Sequence, residues 1–171
     1  TAAHVIEDAS QVEVEFFTRR NRPVPADIVN AEEADPRGLA VLLVKGNIPG
    51  NLVALEMHRH AAVYPGDSVV TVGFPVGGSP WSVIKGEVVG HHGKTIVFSG
   101  PVNEGSSGSP LLRAGQVIGV VSETMQKFSY ATPVVIADYV LEAWGIPDAR
   151  REALARILVT ESEFVRRRSM E

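Results

Sequence analysis

Between residues 11 and 131 the apolar side chains come in short runs, most of them alternating with polar ones, and glycine or proline closes each run. This rhythm constrains the fold more than any other feature. A side-chain period of two belongs to half-buried strands, and turns at such short intervals leave no room for the long stripe of a helical bundle. Sixteen glycines and eleven prolines in 171 residues supply the turns. Residues 11–17 (QVEVEFF) alternate as a strand, and 25–30 form a short one. Residues 39–45 (LAVLLVK) are almost continuously apolar, as a strand covered on both faces would be. A further strand is expected over 52–60. After the turn Pro65-Gly66-Asp67, a second set is expected over 68–74, 82–89, 95–99, 110–112, 116–122 and 127–131, with turns at 75–80, 90–93 and 113–115. A sandwich or barrel follows from such a series.

Beyond Thr132 the period changes to 3.6. Thr132 is expected as an N-cap with Pro133 in the first helical position. Val135, Ile136, Tyr139, Val140, Ala143 and Trp144 mark the apolar face, and Gly145 with Pro147 ends the helix. Residues 148–159 read as a second helix with Ala149, Ala153, Ile157 and Leu158 inward, and Thr160-Glu161-Ser162-Glu163 as a capping box opening a third.

Composition removes several functional classes. A net charge of −4 argues against a nucleic-acid partner. No cysteine is present, which excludes disulfides, a thiol nucleophile and thiolate metal sites, and leans the expected location to the cytoplasm. No apolar run reaches the ~18 residues of a membrane span, so no membrane partner is expected. His58 and His60 alternate on the expected 52–60 strand and His91-His92 falls in an expected turn, without a carboxylate spacing that would complete a metal site. Arg166-Arg167-Arg168 reads as a solvated helix end. Neither a metal nor an organic cofactor is expected.

The chemistry concentrates in Gly105-Ser106-Ser107-Gly108-Ser109-Pro110. A nucleophilic serine needs a tight turn with backbone N–H groups aimed at the developing oxyanion, and flanking glycines permit both. Far upstream, His4 follows Thr1-Ala2-Ala3. With these two segments in this order, the chain resembles the chymotrypsin-fold (trypsin-like) serine peptidases, in particular the cysteine-poor bacterial Deg-type branch. TAAHV resembles the segment of the catalytic histidine, and GSSGSP the G-[DN]-S-G-[GS]-P segment of the nucleophile. GDSVVTVGFPVG resembles the opening strand of the second barrel, VIGVVS the strand lining the specificity pocket, and YATPVVIADYVLEAWGI the final strand and helix.

The resemblance implies an all-β fold of two six-stranded-type β-barrels, the first incomplete at its N-terminus, followed by C-terminal α-helices. It implies a partial first barrel over 1–64, a second barrel over 65–133 and a helical extension over 134–171. Ser107 would attack the scissile carbonyl, His4 would act as general base, and the N–H groups of Gly105 and Ser107 would form the oxyanion hole. The family's aspartate precedes a Leu-Ala-Val/Leu-Leu run, and here Gly38 stands before Leu39-Ala40-Val41-Leu42. Three alternatives remain: Asp35 bends back as a substitute acid, Ser107 and His4 act as a dyad, or the site is inactive. An aspartate introduced at position 38 is expected to raise the rate if the rest of the site is intact.

Pro101 occupies the pocket-base position, where no carboxylate selects Arg or Lys. Ser122, Glu123 and Thr124 would line the pocket and Glu104 would flank the oxyanion loop. The implied function is a trypsin-like endopeptidase acting on polypeptide substrates through an acyl-enzyme. The alternative is a pseudoprotease that binds peptides as a scaffold module. Additional domains or a partner strand are expected to complete the first barrel.

Overall fold

The computed structural model describes residues 1–146, except 33, 34, 36, 61, 75–77, 103, 104 and 126, together with 164–167; of residues 124, 125 and 164–167 it describes the backbone alone. Its strands are β1 (Val12–Glu15), β2 (Val24–Ala31), β3 (Ala40–Val44), β4 (Ser68–Gly73), β5 (Ser82–His92), β6 (Thr95–Ser99), β7 (Pro110–Arg113), β8 (Gln116–Met125), β9 (Phe128–Pro133) and β10 (Phe164–Arg167), with α1 (Val134–Ala143) after β9. Strands β4 to β9 close into a six-stranded barrel in the order β4-β5-β6-β9-β8-β7. The remaining four form an open antiparallel sheet, β10-β1-β2-β3. The protein is all-β with one closed barrel, one incomplete sheet and a single α-helix among the described residues.

The period-two pattern explains the barrel. In β4, Val69, Thr71 and Gly73 turn inward and are buried while the intervening residues are more exposed. Phe98 of β6 and Leu111 of β7 meet Val69, Ile118 and Val121 in the barrel core. Fully burying side chains of this size contributes roughly 1.5–3 kcal/mol each. The β7–β8 hairpin turns through Ala114 (φ 51°) and Gly115 (φ 81°), two consecutive residues with positive φ, as a two-residue turn matched to strand twist requires.

Strand β3 shows why its sequence is continuously apolar. Ala40 and Leu42 face Ile6 and Val12 on one side, and Val41 packs against Leu141 and Ile146 on the other. Helix α1 thereby ties the open sheet to the barrel, against which it also lies at β8 and β9. A cavity of about 70 Å³ remains between them, lined by residues that include Val41, Met57, Ala137 and Trp144.

Several expectations are corrected. Residues 52–60 form no strand; Met57 makes only an isolated bridge to Val117. His91 and His92 belong to β5, opposite Ile96 and Thr95, rather than to a turn. Helix α1 starts at Val134, and the Thr132 hydroxyl donates 2.9 Å to the Arg37 carbonyl instead of capping it. The buried face is Val134, Ala137, Val140 and Leu141, whereas Val135 and Tyr139 are exposed. Residues 164–167 are a strand, antiparallel to β1, and not the helix expected there. The expected helix over 148–159 and the capping box at 160–163 lie outside the described residues.

Candidate active site

His4 sits in a single 3-10 turn over Ala3–Val5. The segment before it is fixed to the start of β3: the amino terminus of Thr1 donates 3.0 Å to the Ala40 carbonyl, Ala40 N–H donates 2.9 Å back to Thr1, and Ala3 N–H donates 2.8 Å to the Gly38 carbonyl. Position 38 therefore lies directly beside the histidine segment. The imidazole is half-buried.

Ser107 stands on the turn that leads into β7, between Gly105 (φ 92°) and Gly108 (φ 86°). Both glycines occupy the left-handed region, where other residues are strained. Gly108 N–H donates 2.7 Å to the Val121 carbonyl, Val121 N–H donates 2.8 Å to Ser109, and Ser109 N–H donates 3.1 Å to Ser106, which fixes the turn against β8. Gly108 also meets the histidine segment: a Cβ there would lie 3.1 Å from the Thr1 Cβ and the Ala2 nitrogen. The fold thus packs the serine turn onto the chain three residues ahead of His4.

Within this arrangement the Ser107 hydroxyl donates 3.2 Å to the Ser122 carbonyl. Among the described residues no hydrogen bond joins it to His4. The N–H groups of Gly105 and Ser107 make no backbone hydrogen bond within the described residues. Ser106 is fully buried, and the approach of Gly73 is so close that a Cβ there would lie 2.6 Å from the Ser106 hydroxyl oxygen.

Asp35 is exposed, and its carboxylate accepts 2.9 Å from Arg37 N–H, as a turn-forming aspartate does. Gly38 is enclosed by that same turn. A Cβ at 38 would overlap the Glu32 carbonyl oxygen and lie 2.8 Å from that of Asp35. Backbone fills the space an aspartate side chain would enter, so the expected benefit of Gly38→Asp does not fit this structure. Glu32 itself accepts 3.0 Å from Leu39 N–H, on the edge of β3 away from the histidine segment.

Of the other expected site residues, Pro101 is exposed and Ser122 is buried, its hydroxyl donating 3.2 Å to the Tyr130 carbonyl. Glu123 forms an ion pair with Arg37 at 3.1 Å, and the Arg37 guanidinium lies 5.8 Å from the centre of the Tyr130 ring. Glu104 and the Thr124 side chain lie outside the described residues. Sequence reasoning missed both Arg37 and Gly73. Arg37 and Glu123 are 86 positions apart, and no local pattern links them. Gly73 did carry a signal, since a glycine inside an alternating strand often marks a close backbone approach. Among the described residues no group of three or more metal-ligating side chains comes together, and no helix is long and apolar enough to cross a membrane.

Comparison with known proteins agrees with this geometry. The profile of the trypsin-like peptidase domain matches residues 1–120. The chain is 30% identical over 166 residues to Protease Do-like 2, chloroplastic, of Arabidopsis thaliana; the match covers 82% of this chain and 25% of that protein. In three dimensions it is similar to the serine endoprotease from Yersinia pestis, with a TM-score of 0.68 and 23% identity over 90% of this chain and 53% of that one. The chain spans a quarter of the curated relative and about half of the solved one.

Proposed function

The chain belongs to the trypsin-like peptidase domain family, a Deg-type member with the chymotrypsin fold, and from that membership we propose a serine endopeptidase with Ser107 as nucleophile and His4 as general base. The observation that carries this reading is the packing of Gly108 on Thr1, which joins the serine turn to the histidine segment.

In the proposed reaction Ser107 Oγ attacks the scissile carbonyl carbon while its proton passes to the His4 imidazole. The oxyanion is held by the N–H groups of Gly105 and Ser107, which no backbone carbonyl among the described residues engages. Collapse of the tetrahedral intermediate breaks the C–N bond, and His4 returns the proton to the leaving amine. Water then attacks the acyl-enzyme ester by the same route in reverse, freeing Ser107. The hydroxyl first rotates away from the Ser122 carbonyl. No carboxylate among the described residues hydrogen-bonds to His4, so the proposed centre is a dyad. Loss of the acid from a triad enzyme costs on the order of 10⁴ in kcat while the oxyanion hole retains part of the acceleration.

Polypeptides are the substrates that family membership implies. The Arg37 partner of Glu123 already satisfies that carboxylate, and Pro101 offers none, which supports a preference for uncharged side chains over Arg or Lys. The division into lobes at 1–64 and 65–133, with the site between them, and further segments completing the open sheet belong to the same proposal.

One observation favours a second reading. The Ser107 hydroxyl points to the Ser122 carbonyl and not to the imidazole, as in a peptide-binding module without turnover. Labelling with a fluorophosphonate separates the two. The expected result is a single adduct on Ser107, abolished by Ser107→Ala and reduced at least about 10²-fold by His4→Ala. A folded protein that takes no label overturns the peptidase and leaves the binding module.

A further inference from the structure

Beside the serine turn an aromatic cluster joins the open sheet to the barrel. Phe17 follows β1, Phe74 follows β4, and Trp81 precedes β5. Trp81 meets Phe74 edge-on with ring centres 4.5 Å apart and Phe17 edge-on at 5.4 Å. The Arg20 guanidinium lies 4.2 Å over the Phe17 ring. This cluster reaches the nucleophile through one chain step on each side: Phe74 is bonded to Gly73, whose close neighbour Ser106 is bonded to Ser107.

We propose that Phe17, Phe74 and Trp81, with Arg20, form a substrate subsite next to the nucleophile that receives a large apolar side chain of the peptide flanked by carboxylates. The proposal rests on the peptidase reading of Ser107 and adds a substrate class to it.

Three observations carry it. Phe17 remains 42% exposed although its ring meets both Trp81 and Arg20, so the rings form an open shelf and not a sealed core. Trp81 has φ 64°, a conformation costly for a bulky residue, and such strain persists where surrounding packing holds a side chain at a set position, commonly in ligand sites. Charge is the third. Acidic residues outnumber basic ones, 20 to 16, yet the exposed Arg20 forms no ion pair among the described residues, its guanidinium lying over the Phe17 ring. Arg19, the chain neighbour of Arg20, donates 2.7 Å to the Asn47 carbonyl and holds the segment in place. An exposed guanidinium beside aromatic surface recognises a segment that is apolar and acidic at once.

The chain has two tryptophans, Trp81 and Trp144, so the Trp144→Phe variant makes Trp81 the sole indole emitter. In the Ser107→Ala background, which prevents turnover, two unlabelled octapeptides are titrated, one containing Phe-Glu-Glu and its match containing Phe-Lys-Lys. Binding is followed by calorimetry and by Trp81 emission. The acidic peptide is expected to bind at least about tenfold more tightly at about 50 mM salt and to shift Trp81 emission, with the preference narrowing at about 500 mM. Arg20→Ala is expected to weaken it about three- to tenfold.

Equal affinities overturn the proposal, as does binding that leaves Trp81 emission unmoved or an absence of binding to both peptides. Because Trp144 lines the interior cavity, calorimetry on the Arg20→Ala chain with both tryptophans retained decides the matter if Trp144→Phe disturbs the fold. Fluorophosphonate labelling of the unsubstituted chain reports on Ser107 alone. Failure of labelling with success of the peptide titration therefore removes the peptidase and keeps the subsite, and the converse removes only the subsite.

Discussion

A Cβ atom at position 38 would overlap one main-chain oxygen and lie 2.8 Å from another, neither of which can move without the turn that carries it. The contacts are with backbone, so a rotamer change cannot relieve them. Gly38→Asp is accordingly expected to destabilise the protein by about 1–3 kcal/mol, the usual cost of overpacking, and to label with fluorophosphonate no faster than the unsubstituted chain. Thermal melts and labelling rates check both halves, and a faster-labelling Gly38→Asp would mean that the turn yields readily. The sequence marks position 38 through the apolar run on its C-terminal side, Leu39-Ala40-Val41-Leu42, but the atoms that enclose it belong to Glu32 and Asp35. Asp35 was legible as a turn aspartate because Asp before Pro starts turns, and its carboxylate indeed accepts from Arg37 N–H.

Among the elements, α1 ends in a geometry the sequence announced. Gly145 has φ 66°; its N–H donates 2.9 Å to the Glu142 carbonyl, and Ile146 N–H donates 3.0 Å to Leu141, the paired bonds of a glycine-terminated helix. Nothing lies within 4 Å of a Cβ at 145, so only the backbone conformation is at stake. Gly145→Ala is expected to cost about 1 kcal/mol in chemical denaturation with no change in the slope of the transition. The same helix shows where local reading stops. Its sequence, VVIADYVLEA, carries apolar residues around much of its circumference, which leaves two candidate inner faces. Contacts with Val41 of β3 choose Leu141, a selection made by a strand about a hundred positions away. Strand β6 was legible to the residue, Thr95–Ser99, because Gly93 before it and Gly100 after it, both with positive φ, bound it locally. Residues 52–60 were not, since a strand needs a partner and Met57 finds only one bridge.

At the scale of the whole molecule, one anchored carboxylate makes a contribution to stability that depends on pH. Asp67 accepts 2.9 Å from Tyr64 N–H and 2.5 Å from Arg113, linking the turn before β4 to β7. The Tyr64 N–H first, and then the Arg113 guanidinium, hold its carboxyl below the ordinary value of 3.8. A depressed folded value gives stability that is present above the unfolded value and is lost as pH falls through the folded one. Asp67→Asn is therefore expected to lower Tm at neutral pH, with the gap to the unsubstituted chain closing below about pH 3.8. A gap independent of pH between about 2 and 7 would assign the effect to shape and not to charge. The barrel and the open sheet differ in another respect as well. Every strand of the barrel lies between residues 68 and 133, but β1 pairs with β10 in the register Val12 to Arg167. At roughly 5–20 residues per second, synthesis separates those two strands by about 8–30 s. During translation the closed barrel can form while β1, already beside β2, still lacks β10 on its other edge, so the sheet whose first three strands precede the barrel is finished after it.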